Sequence, residues 1–245
     1  MFVGLTSAYL SQLLTLNPGD CHSGEIELLR DSAELQTAQE QLQARLRVKG
    51  LPEAWGALGV VYQDQYVKVL RDAVRFRTGA LGTYIRVTIS DAQDEDGGVV
   101  LVVRRRGCTL LKRIFRHATR QWELELPRGF RAAGHSVQDA ALAELVEETG
   151  HRPAAPPELV GRFFPDTGLM AHTLAIVEIQ VDDRPAQMHA EVMESIRQEE
   201  VWMTMSEITK ATRDGTIRDG ITLAALAIYF AKAFGEPNVQ GDNIR

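Results

Sequence analysis

Glu144, Glu147 and Glu148 crowd the end of a segment, residues 132–151, that contains four acids and no Lys or Arg. Ser136 with Asp139 resembles a capping box at its start and Gly150 is a good helix stop, so the pattern predicts a helix from just after Ser136 to Thr149. On that helix Glu144 and Glu148 are i,i+4 neighbours and Glu147 is i+3 from Glu144, and each like-charged pair costs roughly 0.2–0.5 kcal/mol. Glu147 and Glu148 also lie at the C-terminal end, where the helix dipole disfavours anions. One reading is a solvated acidic face. The other is a carboxylate cluster for a hard divalent cation such as Mg²⁺, which takes oxygen ligands and shares its site with substrate phosphates. The stretch just upstream favours the second. Residues 104–131 hold nine Arg and Lys against two Glu, a net of +7, and Arg forks suit phosphate oxygens. Acids and bases together describe a site for a metal-bound phosphate ester.

The elements that must position these groups are partly legible. Leu5, Leu10, Leu13, Leu14 and Leu16 make a short apolar helix, and residues 17–24 form a turn cluster. A second helix, rich in Gln, Glu, Leu and Ala, is expected from Glu25 to Val48, with Gly50 as its stop. Its Leu28, Leu35 and Leu42 repeat every seven residues, but the positions between them are poorly apolar, which indicates a surface or partner-facing helix rather than a coiled coil. Residues 60–76 and 83–90 alternate apolar with polar residues around a turn, as an antiparallel pair does. Residues 91–98 read as an acidic loop, and 99–106 as a buried strand. Further strands are expected at 158–164 and 172–181, and helices at 206–213 and 221–234. Strands followed by single helices and then more strands indicate an α/β (α+β) domain with a helical N-terminal extension.

Composition narrows the function classes. The chain has 245 residues, 44% of them hydrophobic and 24% charged, and a net charge of −6, which argues against a generic binder of nucleic acid or anionic membrane. The two cysteines, Cys21 and Cys108, belong to no paired motif, so a disulfide framework and a structural zinc are disfavoured and a reducing compartment fits. No apolar run is long enough for a membrane span, and the first residues lack a basic start and a cleavage site. A cytoplasmic protein is expected.

The segment from Gly129 to Gly150 resembles the Nudix box. Gly129, Glu144, Leu145, Glu147, Glu148 and Gly150 match six of its nine defined positions. His135, Ala143 and His151 depart from the usual Glu, Arg and apolar residue. Residues 59–234 resemble the ADP-ribose pyrophosphatase branch of that family, through the basic stretch before the box, the PDTG at 165–168 and the DGTIRDGITLAAL that leads into the last helix. The resemblance implies an α/β/α sandwich with a mixed sheet. It also implies a catalytic domain at 93–235 and, before it, a β arm at 51–92 used in homodimerisation; the residue pattern adds the helical extension at 1–50 and a tail at 236–245. For the site it implies that Glu144, Glu148 and the carbonyl of Arg128 hold Mg²⁺, with Mn²⁺ as the alternative metal. Glu147 is the third acid of the box. Arg113, Arg116 and Glu125 fall in the substrate-binding region, and a loop after the box supplies the catalytic base, Glu194 as first choice and Glu191 as second. Arg104 to Arg106 read as a strand end reaching solvent. The implied reaction is hydrolysis of a nucleoside diphosphate linked to another moiety, foremost ADP-ribose to AMP and ribose 5-phosphate. The alternative, supported by the losses at 135 and 143, is a weakened Nudix domain that senses a nucleotide or binds a partner. An RNA-end hydrolase is disfavoured by the acidic total and the lack of interleaved aromatic residues.

Overall fold

Residues 26–89 build an antiparallel sheet around one long strand. In the computed structural model, which describes residues 9–11, 13, 26–89, 96–132, 134–184 and 199–234, the chain divides into two compact units, Met1–Glu95 with Asp166–His172, and Asp96–Pro165 with Thr173–Arg245. In the first unit the stretch expected to be one helix from Glu25 to Val48 is instead a short strand, β1 (Ile26–Leu28), followed by α1 (Ser32–Val48). Asp31 is the reason for the break. Its Oδ1 accepts the N–H of Ala33 and of Glu34, both at 3.0 Å, and an aspartate cap of this kind fixes a helix start. Leu35 and Ala38 of α1 are buried beside Tyr9, Leu13, Leu58 and Leu70, so the helix finds its partner in this unit's own core.

A 3₁₀ turn (Glu53–Gly56) leads to β2 (Gly59–Gln63), β3 (Val67–Phe76) and β4 (Leu81–Ile89). The alternating run at 60–76 is thus two strands, not one. Asp64 breaks it by accepting the N–H of Tyr66 and of Val67, each at 2.8 Å. Strand β3 pairs with β4 from Val67 to Arg75, while its other neighbours are β2 at Lys68–Arg71 and β1 at Val74–Phe76. The Asp166–His172 segment joins this unit through a bridge between Met170 and Val87.

The second unit is a seven-stranded mixed sheet between helices. It contains β5 (Asp96–Arg105), β6 (Cys108–Arg116), β7 (Gln121–Glu125), β8 (Arg128–Phe130), α2 (Val137–Thr149), β9 (Glu158–Phe163), β10 (Thr173–Gln180), β11 (Glu199–Thr204), α3 (Met205–Arg213) and α4 (Gly220–Phe234). The strand β5 begins at Asp96, inside the stretch expected as a loop. The buried Asp96 carboxylate accepts Arg162 Nε at 2.9 and 3.0 Å and the Thr173 hydroxyl at 2.7 Å, which ties the chain into the sheet there. Strand β10 runs parallel to β5, and β9 antiparallel to β10. Beyond their turn β5 and β6 pair only at Arg104–Thr109 and Arg105–Cys108. They then part, β5 taking β8 as partner and β6 taking β7 and β11.

Both faces of β5 are buried. Val99, Leu101 and Val103 pack with Val137, Ala140, Ala141 and Leu145 of α2, while Val100 and Val102 pack with Ile208, Ala211, Ala225 and Leu226 of α3 and α4. Period-two alternation therefore builds an α/β/α sandwich from one strand, as expected. No described helix is long and apolar enough to cross a membrane. Leu101 is fully buried at the α2 face. Leu101→Ala is expected to lower stability by about 2–5 kcal/mol, read as a fall in the urea midpoint with an unchanged slope.

Candidate metal and phosphate site

Helix α2 starts and stops where its sequence directs. Ser136 Oγ accepts the Asp139 N–H at 3.1 Å and donates to the Asp139 carboxylate at 2.6 Å. Gly150 takes the left-handed conformation, φ 64°, that ends the helix. Between these caps Leu145 anchors the buried side, Glu147 is exposed, and Glu144 and Glu148 are half-buried.

Glu144 lies directly over Gly129. A Cβ placed on Gly129 would overlap the Glu144 carboxylate, so glycine at the start of the box is a steric requirement of this carboxylate's position. Gly129 itself is held in the sheet by pairing with Val99. The carboxylate is thus brought against the main chain just after Arg128. Burial, and then the charges of Glu148 and Glu147, push its pKa up to about 7.

Lys112 is the group that the sequence alone did not single out. It belongs to β6 and is 1% exposed. Its Nζ donates to the Glu148 carbonyl at 2.7 Å and stands 3.4 Å from Glu148 Oε2. Burial draws the Lys112 pKa below the ordinary lysine value, while Glu148, Glu200 and Glu144 act in the opposite direction. Across the sheet Lys112 faces Glu125 of β7 on one side and Glu200 of β11 on the other. Its place in the basic stretch is visible in the sequence, but which way it points is set by the pairing of β6 with β7 and β11, which residues far apart in the chain determine.

The remaining expected residues fall into two groups. Glu125 is 1% exposed and receives Arg116 through contacts at 2.5 and 2.9 Å and Arg128 at 2.8 Å. Arg128 also reaches Asp219 at 3.0 Å, and Asp219 caps α4 by accepting the Thr222 N–H at 2.8 Å. This chain of charges fixes the Pro127–Gly129 turn to the end of α4. Arg113, by contrast, is half-exposed and lies 3.3 Å from the well-exposed Glu199. Arg105 stacks on Trp202, its guanidinium carbon 3.9 Å from the ring centre, and so is engaged at the strand end. His151 is buried, with Nε2 3.1 Å from Glu200 and its ring edge-on to Trp202. Glu191 and Glu194 lie outside the described residues.

The donor chemistry fits a hard cation. Glu144 and Glu148 are oxygen donors on one helix face, and Gly129 leaves the space that Glu144 occupies. Among the described residues no three His, Cys, Asp or Glu side chains are grouped as a ready cage. Mg²⁺ does not need one, since it is commonly held by one or two carboxylates together with waters and substrate phosphates.

Two outcomes follow from this geometry. Gly129→Ala is expected to displace Glu144 and weaken divalent-metal binding, measured by titration with Mn²⁺, while circular dichroism stays native. The raised Glu144 pKa has a definite sign in metal-free protein. Between about 4.5 and 7 the folded state holds a proton that the unfolded state has lost, so this group's contribution to stability falls as pH rises through that window. Glu144→Gln is therefore expected to raise the melting temperature of metal-free protein at pH 8 and to leave it nearly unchanged at pH 4.

Comparison with known proteins gives the same grouping. Residues 84–224 match the family model described as NUDIX domain. A Caenorhabditis elegans protein named "Putative nudix hydrolase 2" is 26% identical over 186 residues, which cover 70% of this chain and 83% of the relative. A solved structure titled "Crystal structure of ADP compounds hydrolase" superposes with a TM-score of 0.60 at 19% identity, covering 73% of this chain and 93% of that one, which shows a shared fold. The matched segment takes in more than half of the chain, including β5, Gly129 and the whole of α2. With its glutamate helix seated against the box glycine, the chain belongs to the Nudix family of hydrolases.

Proposed function

We propose that this chain hydrolyses ADP-ribose to AMP and ribose 5-phosphate, with Mg²⁺ as its metal and Mn²⁺ as a substitute. The observation that carries the proposal is the seating of Glu144 over Gly129, beside Glu148 on the same helix. Glu144, Glu148 and the Arg128 carbonyl are the assigned ligands. Bound there, the cation supplies charge neutralisation on the diphosphate and a water of lowered pKa. Arg113 is proposed as a phosphate contact, since its contact with Glu199 is long and solvent-exposed and costs little to exchange. Arg116 is committed to Glu125, so its proposed role is to add positive potential and to hold the turn before Gly129. Glu194 or Glu191 is proposed as the base that takes the proton of the attacking water, and Glu147 as a further acid at the metal. Water adds across the pyrophosphate bridge, one P–O bond breaks, and two phosphomonoesters leave.

An ADP-containing substrate is supported by the printed title of the solved structure whose fold this chain shares. The division into an extension at 1–50, an arm at 51–92, a catalytic domain at 93–235 and a tail is kept as a functional proposal. Within the arm, Trp55, Tyr62, Tyr66 and Tyr84 are exposed, which supports its use in a homodimer. The distant cysteine pair supports a cytoplasmic setting.

Incubation of the protein with ADP-ribose and Mg²⁺, with products identified by mass, is expected to yield AMP and ribose 5-phosphate. Glu148→Gln is expected to lower kcat/KM roughly 100-fold. A ligand that raises the melting temperature yet stays intact with metal would replace hydrolysis by the sensing alternative. Sedimentation velocity is expected to show a dimer, and a monomer at every concentration would remove that part of the reading.

A further inference from the structure

We infer that Lys112 is a positioning residue for Glu148, supplying from the sheet the cation that the glutamate helix lacks. The inference rests on the proposal above that Glu148 holds the metal. Helix α2 ends with Glu147 and Glu148 beside the carbonyls of its own last turn, which concentrates negative charge at one place. No Lys or Arg within residues 132–151 offsets it. Lys112 arrives from β6, on the same face of the strand as Leu110, whose side chain packs in the core cluster beneath α2.

The two distances assign two tasks. The bond of 2.7 Å to the Glu148 carbonyl fixes the last turn of the helix against β6. The contact of 3.4 Å to Oε2 orients the carboxylate without saturating it, since a carboxylate has about four lone-pair sites. The flanking acids are otherwise engaged. Glu125 is gripped by Arg116 and Arg128, and Glu200 meets His151. The buried ammonium is therefore directed at the helix end. A lysine buried this deeply is uncommon unless it is paired, and its pairing here is with the carboxylate assigned to the metal.

A lysine that only neutralised Glu148 would compete with a bound cation, and its removal would tighten metal binding. A positioning lysine has the opposite signature. The test uses the full chain, with Mn²⁺ binding followed by the electron paramagnetic resonance signal of the free ion, and kcat and KM measured with ADP-ribose. Lys112→Met is expected to weaken Mn²⁺ binding and lower kcat by about tenfold or more, with a much smaller change in substrate KM. In a Glu148→Gln background the same substitution is expected to add little further loss of Mn²⁺ affinity, because the group it positions is gone. Unchanged or tighter Mn²⁺ binding in Lys112→Met, or losses that simply add in the double variant, would overturn the inference. Lys112→Gln keeps a polar tip and covers the case in which the methionine variant does not fold. It is expected to show the same weakening, and wild-type affinity there would also overturn it. Wild-type protein that binds no Mn²⁺ would instead refute the metal reading itself.

Discussion

The helix that carries three carboxylates toward one end rests on a sheet that brings positive charge to meet it. That interaction organises the second unit. Apolar contacts hold the body of α2, with Val137, Ala140, Ala141 and Leu145 against β5 and β10. None of those contacts can neutralise Glu144 or Glu148. Lys112 meets the helix end from β6, and Gly129 lets the Glu144 carboxylate lie against the main chain. The helix is therefore docked by hydrophobic burial and aimed by electrostatics, two effects supplied by different strands.

The same logic extends away from the helix. Glu125 is nearly inaccessible, and a buried carboxylate is tolerated when it is paired and hydrogen-bonded. Arg116 and Arg128 provide that pairing, and Arg128 passes the connection to Asp219 at the start of α4. Thr222, one turn on, accepts the Leu126 N–H at 3.1 Å. The turn that presents Gly129 is thus tied on both sides, which suits a main-chain segment meant to stand at a fixed distance from a carboxylate. Its arginines contribute structure as well as potential, so the basic stretch is not simply a reservoir of free phosphate binders.

How much of this was legible depended on the range of the signal. Helix α2 could be read to the residue because Ser136, Asp139 and Gly150 act locally, and its acids stood out because no base lay among them. The buried run at 99–103 was equally plain. Strands β6, β7, β8 and β11 were less plain: Lys112 breaks the apolar alternation of β6, β7 has only Trp122 and Leu124 as apolar residues, β8 is three residues long, and β11 opens on two glutamates. Lys112 and Glu123 are buried charges whose partners, Glu148 and Arg218, come from distant positions in the chain. The second helix is shorter than its composition predicts for a different reason. Glu, Gln and Leu favour a helix on average, but the cap at Asp31 and the pairing of Ile26–Leu28 with β3 take precedence.

One consequence of the double-sided burial of β5 concerns how the chain finds its alignment. A strand with one wet face is held in register by its hydrophobic pattern, because a slip of one residue would turn oil toward water. The run from Val99 to Val103 offers no such safeguard, for both of its faces are aliphatic and either could rest on either layer of helices. Alignment must come from the strand's ends. At one end Asp96 is fastened to Arg162 and Thr173; at the other, Arg106 and Gly107 take positive φ in the turn to β6. The core thereby supplies adhesion without direction, and a few polar contacts at its margins determine which residues come to lie beneath the glutamates.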